Sequence, residues 1–274
     1  MVTPMSSWAT SPEILLLSEG EVHVWRAWLD LPQSGIQALE QTLSDDERVR
    51  AQRFRFVKDR THFIAARGLL RAILGRYLLR EPQTLSFSYN AYGKPALAEM
   101  PESVGTYPPG QPRATTRVAP TASGRTKGES LSFNVTHAQG MALYAVTRNH
   151  AIGVDLEYSQ RQMEWEAVAE RFFSPYEVSM LRAVPPHTRY IAFFNCWTRK
   201  EAYIKARGMG LSLALDQFDV SLIPGEPAAL LSIREEGQHI SNWSLYDLYP
   251  GDDYIAALAV EGHASSLKCW QVDF

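Results

Sequence analysis

The chain has little cysteine, no long apolar run and no pronounced net charge, and each absence removes a class of protein. Two cysteines in 274 residues, Cys196 and Cys269, cannot build a disulfide framework, and neither has a partner at the spacing of a cysteine-based zinc site. Both read as free thiols in a reducing compartment. The N-terminal region has no basic segment ahead of an apolar one, and its apolar run at residues 14–17 is far shorter than an export signal or the roughly 20 residues of a membrane span. A soluble, unexported, cytoplasmic protein is expected. A formal net charge of −3 argues against a surface adapted as a whole to nucleic acid or to an anionic membrane.

What is present is a globular composition, 45% hydrophobic and 21% charged, enough for one large domain or two smaller ones. Residues 21–30 alternate as a strand. Ser44 and Glu47 have the spacing of a capping box, so one long helix, or two in succession, should follow as far as Leu79. Its apolar positions, Phe63, Ile64, Leu69, Leu70, Ile73 and Leu74 among them, form a core face. From Arg48 to Arg80 the same stretch carries ten lysines or arginines against one acid, Asp59, which makes it either a solvated face or an anion site. Residues 85–88 read as a short strand and Tyr92-Gly93-Lys94-Pro95 as a turn. The segment 101–130 is dense in Pro, Gly, Ser and Thr and reads as a mobile loop, with Arg113, Arg117, Arg125 and Lys127 as its basic residues. Beyond it, 131–147 and 151–158 suggest strands of a second sheet, and Asp155 and Glu157, two apart, share a strand face.

The second half restates the first about 130 positions on. Ser44 and Glu47 recur as Ser174 and Glu177, Phe63-Ile64 as Phe193-Phe194, Ala72 as Ala202, and Val22 and Val24 as Ile152 and Val154. The expectation is an α+β protein of two pseudo-twofold halves, 1–130 and 131–274, each a small antiparallel sheet with a long helix, with the site in the cleft between them. In the second half, Trp197, Glu201 and Lys205 stand four apart and share one helix face. Taken alone, Glu201 and Lys205 would be a surface ion pair, and Asp155 and Glu157 an exposed strand edge. Taken together, Asp155, Glu157 and Glu201 are hard oxygen donors suited to Mg²⁺, a cation that keeps places for water and substrate phosphate.

Four motifs in order resemble those of the 4′-phosphopantetheinyl transferases, specifically the larger surfactin-type class. They are Tyr92-Gly93-Lys94-Pro95; Phe133-Asn134-Val135-Thr136-His137; Gly153-Val154-Asp155-Leu156-Glu157; and the run from Trp197 to Lys205, which is similar to W-x-x-K-E-a-x-x-K. The resemblance implies a pseudo-twofold fold that binds coenzyme A between its halves and transfers phosphopantetheine to a serine of an apo acyl or peptidyl carrier protein, releasing 3′,5′-ADP. It implies Mg²⁺ on Asp155, Glu157 and Glu201, with Glu201 as base, directly or through bound water, and Lys205 on the phosphates. Arg50, Thr136 and His137 fall at coenzyme-binding positions, with Arg50 and His137 toward the 3′-phosphate and Gly93, Lys94 and Pro95 beside the adenine. His62 stands where several relatives have arginine, Thr136 replaces a common serine, and the 101–130 segment is longer than usual. Met209 and Leu211 are apolar contacts for a carrier protein or simply helix-end packing. The internal duplication predicts a monomer. The competing readings are another Mg²⁺-dependent nucleotide-diphosphate transferase and a non-catalytic carrier-binding relative.

Overall fold

The computed structural model describes residues 8–98 and 130–272, so the loop expected at 101–130 lies outside them but for Ser130. Strands β1 (Ala9–Thr10) and β2 (Glu21–Trp28) lead into helices α1 (Gln33–Thr42), α2 (Asp45–Gln52) and α3 (Val57–Leu78), then a hairpin of β3 (Phe87–Tyr89) and β4 (Pro95–Leu97). Next come β5 (Leu131–Ala138), β6 (Met141–Arg148) and β7 (Ile152–Tyr158), then α4 (Trp165–Phe172), α5 (Pro175–Ala183) and α6 (Arg189–Arg207). The chain closes with β8 (Phe218–Val220), β9 (Leu230–Ile233), β10 (Trp243–Leu248), β11 (Tyr254–Glu261) and β12 (Ser266–Gln271).

Both capping boxes form. The Ser44 N–H donates to Glu47 Oε2 at 3.0 Å to open α2, and the Ser174 N–H donates to Glu177 Oε2 at 3.0 Å to open α5. Each places an acid among the free N–H groups of a helix start, where charge and hydrogen bonding both favour it. After the first box the chain makes two helices, with the break at residues 53–56. The order strand, capping-box helix, long helix thus occurs as β2, α2, α3 and again as β7, α5, α6.

Alternation along the strands sets the layers. In β2 and β6, Val22, Val24, Met141, Leu143 and Ala145 face one way and meet Ile152, Val154 and Leu156 of β7 and Ala256, Leu258 and Val260 of β11. Their opposite faces, including Trp25, Ala27, Tyr144 and Val146, pack on α1 and α3. The other face of β11, Ala257 and Ala259, packs on α6. The α+β architecture is therefore two sheets face to face between two long helices, an arrangement that gives both faces of each sheet an apolar partner.

The five-stranded sheet runs β1-β12-β2-β6-β5 and the three-stranded sheet β10-β11-β7. This corrects the expectation that 131–147 belongs to a second sheet. Antiparallel β6 pairs with β2 from Val22 opposite Thr147 to Trp28 opposite Met141, and β5 adds to its other edge. The physical reason is burial: residues 141–147 are buried without alternation, as befits a central strand covered on both faces. Hydrogen bonding accordingly does not follow a division at 130/131, and β12 also crosses back to pair parallel with β2. The two sheets meet along the edges β5 and β7, where Asn134 Oδ1 accepts the Val154 N–H at 2.9 Å. Among the described residues no helix is long and apolar enough to cross a membrane.

Candidate active site

The second-half site exists because β7 and α6 touch backbone to backbone. A Cβ on Gly153 would fall 2.1 Å from Ala202 O and 2.3 Å from Ala206 N, so only glycine admits the helix here. Val154 and Leu156 turn toward the other sheet, which leaves Asp155 and Glu157 on the α6 side. There the Trp197 indole N–H donates to Glu157 Oε1 at 3.2 Å. The Lys205 ammonium donates to Asp155 Oδ1 at 2.6 Å, to Thr136 Oγ1 at 3.2 Å and to the Val154 carbonyl at 3.3 Å. Lys205 therefore pairs with Asp155 across the interface and not with its helix neighbour Glu201.

The electrostatics are those of crowded acids. Burial, and then the charge of Asp155, push both Glu157 and Glu201 above the usual carboxylate range; Lys205 partly opposes this at Glu201 and Glu157 adds to it. Asp155 is 5% exposed, and its Oδ2 is buried without a hydrogen-bond partner. Among the described residues no three side chains form a ready-made metal cage. Yet an orphaned carboxylate oxygen beside two repelling carboxylates is a donor set that fits a hard cation such as Mg²⁺.

A cavity of about 760 Å³ opens on the first-half side, between α2, α3, the β3–β4 turn and the end of β5. Arg50, Lys58, His62, Gly93, Pro95 and His137 contribute to its wall. Arg50 lies over the Phe63 ring at 5.3 Å, and His62 Nε2 is 2.8 Å from Asp30 Oδ1. His137 is exposed there, and its imidazole is shifted down, first by desolvation and then by the charges of Lys205 and His62. The basic stretch divides: Arg71 is committed to Glu47 and to the Pro82 and Leu85 carbonyls, and Arg76 to Ser11 and Pro12. Arg50 and Lys58 face the cavity.

Strand β5 joins the two regions. Val135 and His137 face the cavity, while Asn134 and Thr136, one position off, bond to β7 and Lys205. Of the turn residues, Gly93 and Pro95 line the cavity, but the Lys94 ammonium donates to the carbonyls of Ile152 at 3.0 Å and Ala206 at 3.1 Å. Met209 packs against the α6 core, as helix-end packing would have it. Sequence reasoning gave no role to Gly153 or Asn134. The glycine opening the D-x-E strand was the available signal, since a glycine inside a strand marks a close approach.

Comparison with known proteins gives this geometry its class. The model of the 4′-phosphopantetheinyl transferase superfamily matches residues 151–259, which span β7, α6 and β11. The 4′-phosphopantetheinyl transferase HetI of Nostoc sp. is 39% identical over 264 residues, 96% of this chain and 98% of that protein. The 4′-phosphopantetheinyl transferase Sfp of Bacillus subtilis is 27% identical over 180 residues, 66% of each chain. The chain belongs to the 4′-phosphopantetheinyl transferases, a family of enzymes.

Proposed function

We propose that this transferase moves the 4′-phosphopantetheine of coenzyme A onto a serine of an apo acyl or peptidyl carrier protein and releases 3′,5′-ADP. The observation that carries the reading is β5, which presents His137 to a cavity whose wall holds Arg50 and Lys58 along with Asp46 and Asp59, and Thr136 to Lys205 beside Asp155, an arrangement that supports adjoining places for a nucleotide end and a reacting end. Arg50 and His137 hold the 3′-phosphate, and Gly93 and Pro95 flank the adenine. Asp155, Glu157 and Glu201 hold Mg²⁺, which when bound neutralises charge on the diphosphate.

The serine oxygen forms the new bond to phosphorus as the bond to the ADP oxygen breaks. A serine hydroxyl is a weak nucleophile, and Glu201 takes its proton, a role suited to a carboxylate whose proton affinity is raised by its surroundings. Lys205, whose ammonium sits between Thr136 and Asp155, supplies positive charge where the cavity meets the acids and favours the departing phosphate. The test is incubation with Mg²⁺, coenzyme A and an apo carrier protein. Intact mass should show a gain of about 340 Da on an acceptor hydroxyl; no gain across several carriers overturns the reading.

A further inference from the structure

The β3–β4 hairpin makes one excursion out of the first half, and it ends on the helix that carries Glu201 and Lys205. Asn90 organises it: its Oδ1 accepts the N–H groups of Tyr92 and Lys94, both at 2.9 Å, and its Nδ2 donates to the Gly208 carbonyl at 2.7 Å. With both ends of the amide satisfied, its orientation is fixed by the network. The Lys94 ammonium then meets the Ala206 and Ile152 carbonyls. The carbonyls of Ala206 and Gly208 belong to the C-terminal end of α6, where backbone acceptors lack helical partners and the helix dipole is negative. Gly208 ends the helix with φ of 66°, and a Cβ on it would stand 3.2 Å from Lys94 Cδ and 3.3 Å from Asn90 Nδ2. Ile152 is the first residue of β7, so one ammonium ties together the hairpin, the acid-bearing strand and the catalytic helix. Gly93 and Pro95, on either side of Lys94, line the cavity.

We propose that Lys94 is a positioning residue: with Asn90 it latches the cavity wall to the end of α6 and sets where Glu201 and Lys205 stand relative to a bound substrate. The inference rests on the transferase reading and assigns its turn a second task. The lysine in the turn works through its side chain on protein carbonyls, leaving its glycine and proline neighbours to face the ligand. Small displacements of reacting groups cost rate more than affinity, so the signature is a split between turnover and binding.

Lys94→Met keeps the side-chain stem and removes the donors. It should lower kcat by about 10- to 100-fold while leaving the KM for coenzyme A, and its affinity measured by calorimetry without carrier, within about twofold. Amide exchange at residues 203–208 should accelerate, and Lys94→Arg, which returns a cation with several donors, should recover part of kcat. A KM raised tenfold or more with kcat unchanged would make Lys94 a direct ligand contact and overturn the proposal, as would wild-type kinetics and exchange in Lys94→Met. Should Lys94→Met not fold, Asn90→Ala, which removes the Gly208 contact, must show the same split and the same faster exchange, or the latch is wrong. If the wild type transfers nothing, the transferase reading fails by itself, and the exchange measurement still decides the latch.

Discussion

Two sets of acids in this chain, one buried and one buried or half-buried, have met opposite fates. Glu47 and Glu177, the capping-box acids, are saturated. Glu47 takes Arg67 on one oxygen and Arg71 at 2.7 Å with the Ser44 N–H on the other. Burial works to raise its proton affinity, but the hydrogen bonds from Arg71 and Arg67 outweigh it and hold the carboxyl below its usual range. Glu177 takes Lys200 at 2.8 Å and the Ser174 N–H on one oxygen and the Val220 N–H at 2.9 Å on the other. At the β7–α6 site, by contrast, Lys205 pairs with one oxygen of Asp155 and leaves the other over, while Glu157 has the Trp197 indole N–H and Arg161 only at 3.8 Å. A fold that satisfies an acid three ways at both Glu47 and Glu177, and does not do so at Asp155, Glu157 and Glu201, supports the proposal that the second set awaits a bound cation.

The largest effect is expected of Glu201→Gln. It removes the candidate base and one of three repelling charges together, so transfer should fall by about 10²- to 10⁴-fold, while the melting temperature stays level or rises. Full activity in this variant would end the base assignment. Glu177→Gln should do the converse, because it leaves the fully buried Lys200 ammonium without a counter-charge. A loss of about 3–5 kcal/mol in urea unfolding is expected, with the turnover of the remaining folded enzyme close to wild type. Equal stability would mean that the Leu215 and Phe218 carbonyls, both 2.6 Å from that ammonium, suffice to hold it.

Gly153→Ala tests what assembles the second set, the docking of β7 on α6. The added methyl meets the backbone of α6, which cannot rotate aside as a side chain could. The expected cost is about 3 kcal/mol of stability, together with a fall in kcat in the protein that remains folded, since Asp155 and Glu201 are carried apart. A variant with wild-type melting and turnover would show that the close approach at Gly153 does not govern the site.

What could be read in the sequence follows from how local each feature is. Both capping boxes, the strand of Asp155 and Glu157 and the helix of Trp197, Glu201 and Lys205 are each set by residues within a turn or two of one another. The pairing of β12 with β2 depends on residues some 245 apart, and no local pattern encodes it. Likewise β6, buried on both faces, lacks the alternation that would have assigned it to a sheet. At the site, the motifs of Asp155 and Glu201 were legible because each is tightly spaced, while the joining of the two was an expectation that the family resemblance carried. The destination of the Lys94 side chain was not legible, because its partners are backbone carbonyls, which every residue possesses. Helices α1 and α4 drew no expectation either; α1 has neither a side-chain N-cap nor an acidic first turn or basic last turn.

His23 is a third solution to burial, and it yields the smallest of these effects. Where Glu47 keeps its charge by pairing, His23 gives its charge up. It is 1% exposed, its Nδ1 lies 2.7 Å from the Tyr77 hydroxyl, and its Nε2 is buried without a hydrogen-bond partner. Desolvation pulls its imidazole down to about 4, against the attraction of Glu21, 3.9 Å away, and with the repulsion of Lys268. An unfolded histidine titrates near 6.5, so between about 4 and 6.5 the unfolded chain binds the extra proton. Stability must therefore rise with pH through that window, be complete above about 6.5, and be lost as pH falls toward 4. The contribution is at most about 3 kcal/mol. Glu21, whose carboxyl is held low first by its hydrogen bond from Lys268, also loses its stabilising charge at acid pH. Comparing urea unfolding of wild type and His23→Gln from pH 7 to 4 separates the two. The wild type should lose stability more steeply than the variant, and parallel curves would show that a neutral buried imidazole is not what makes this sheet sensitive to acid.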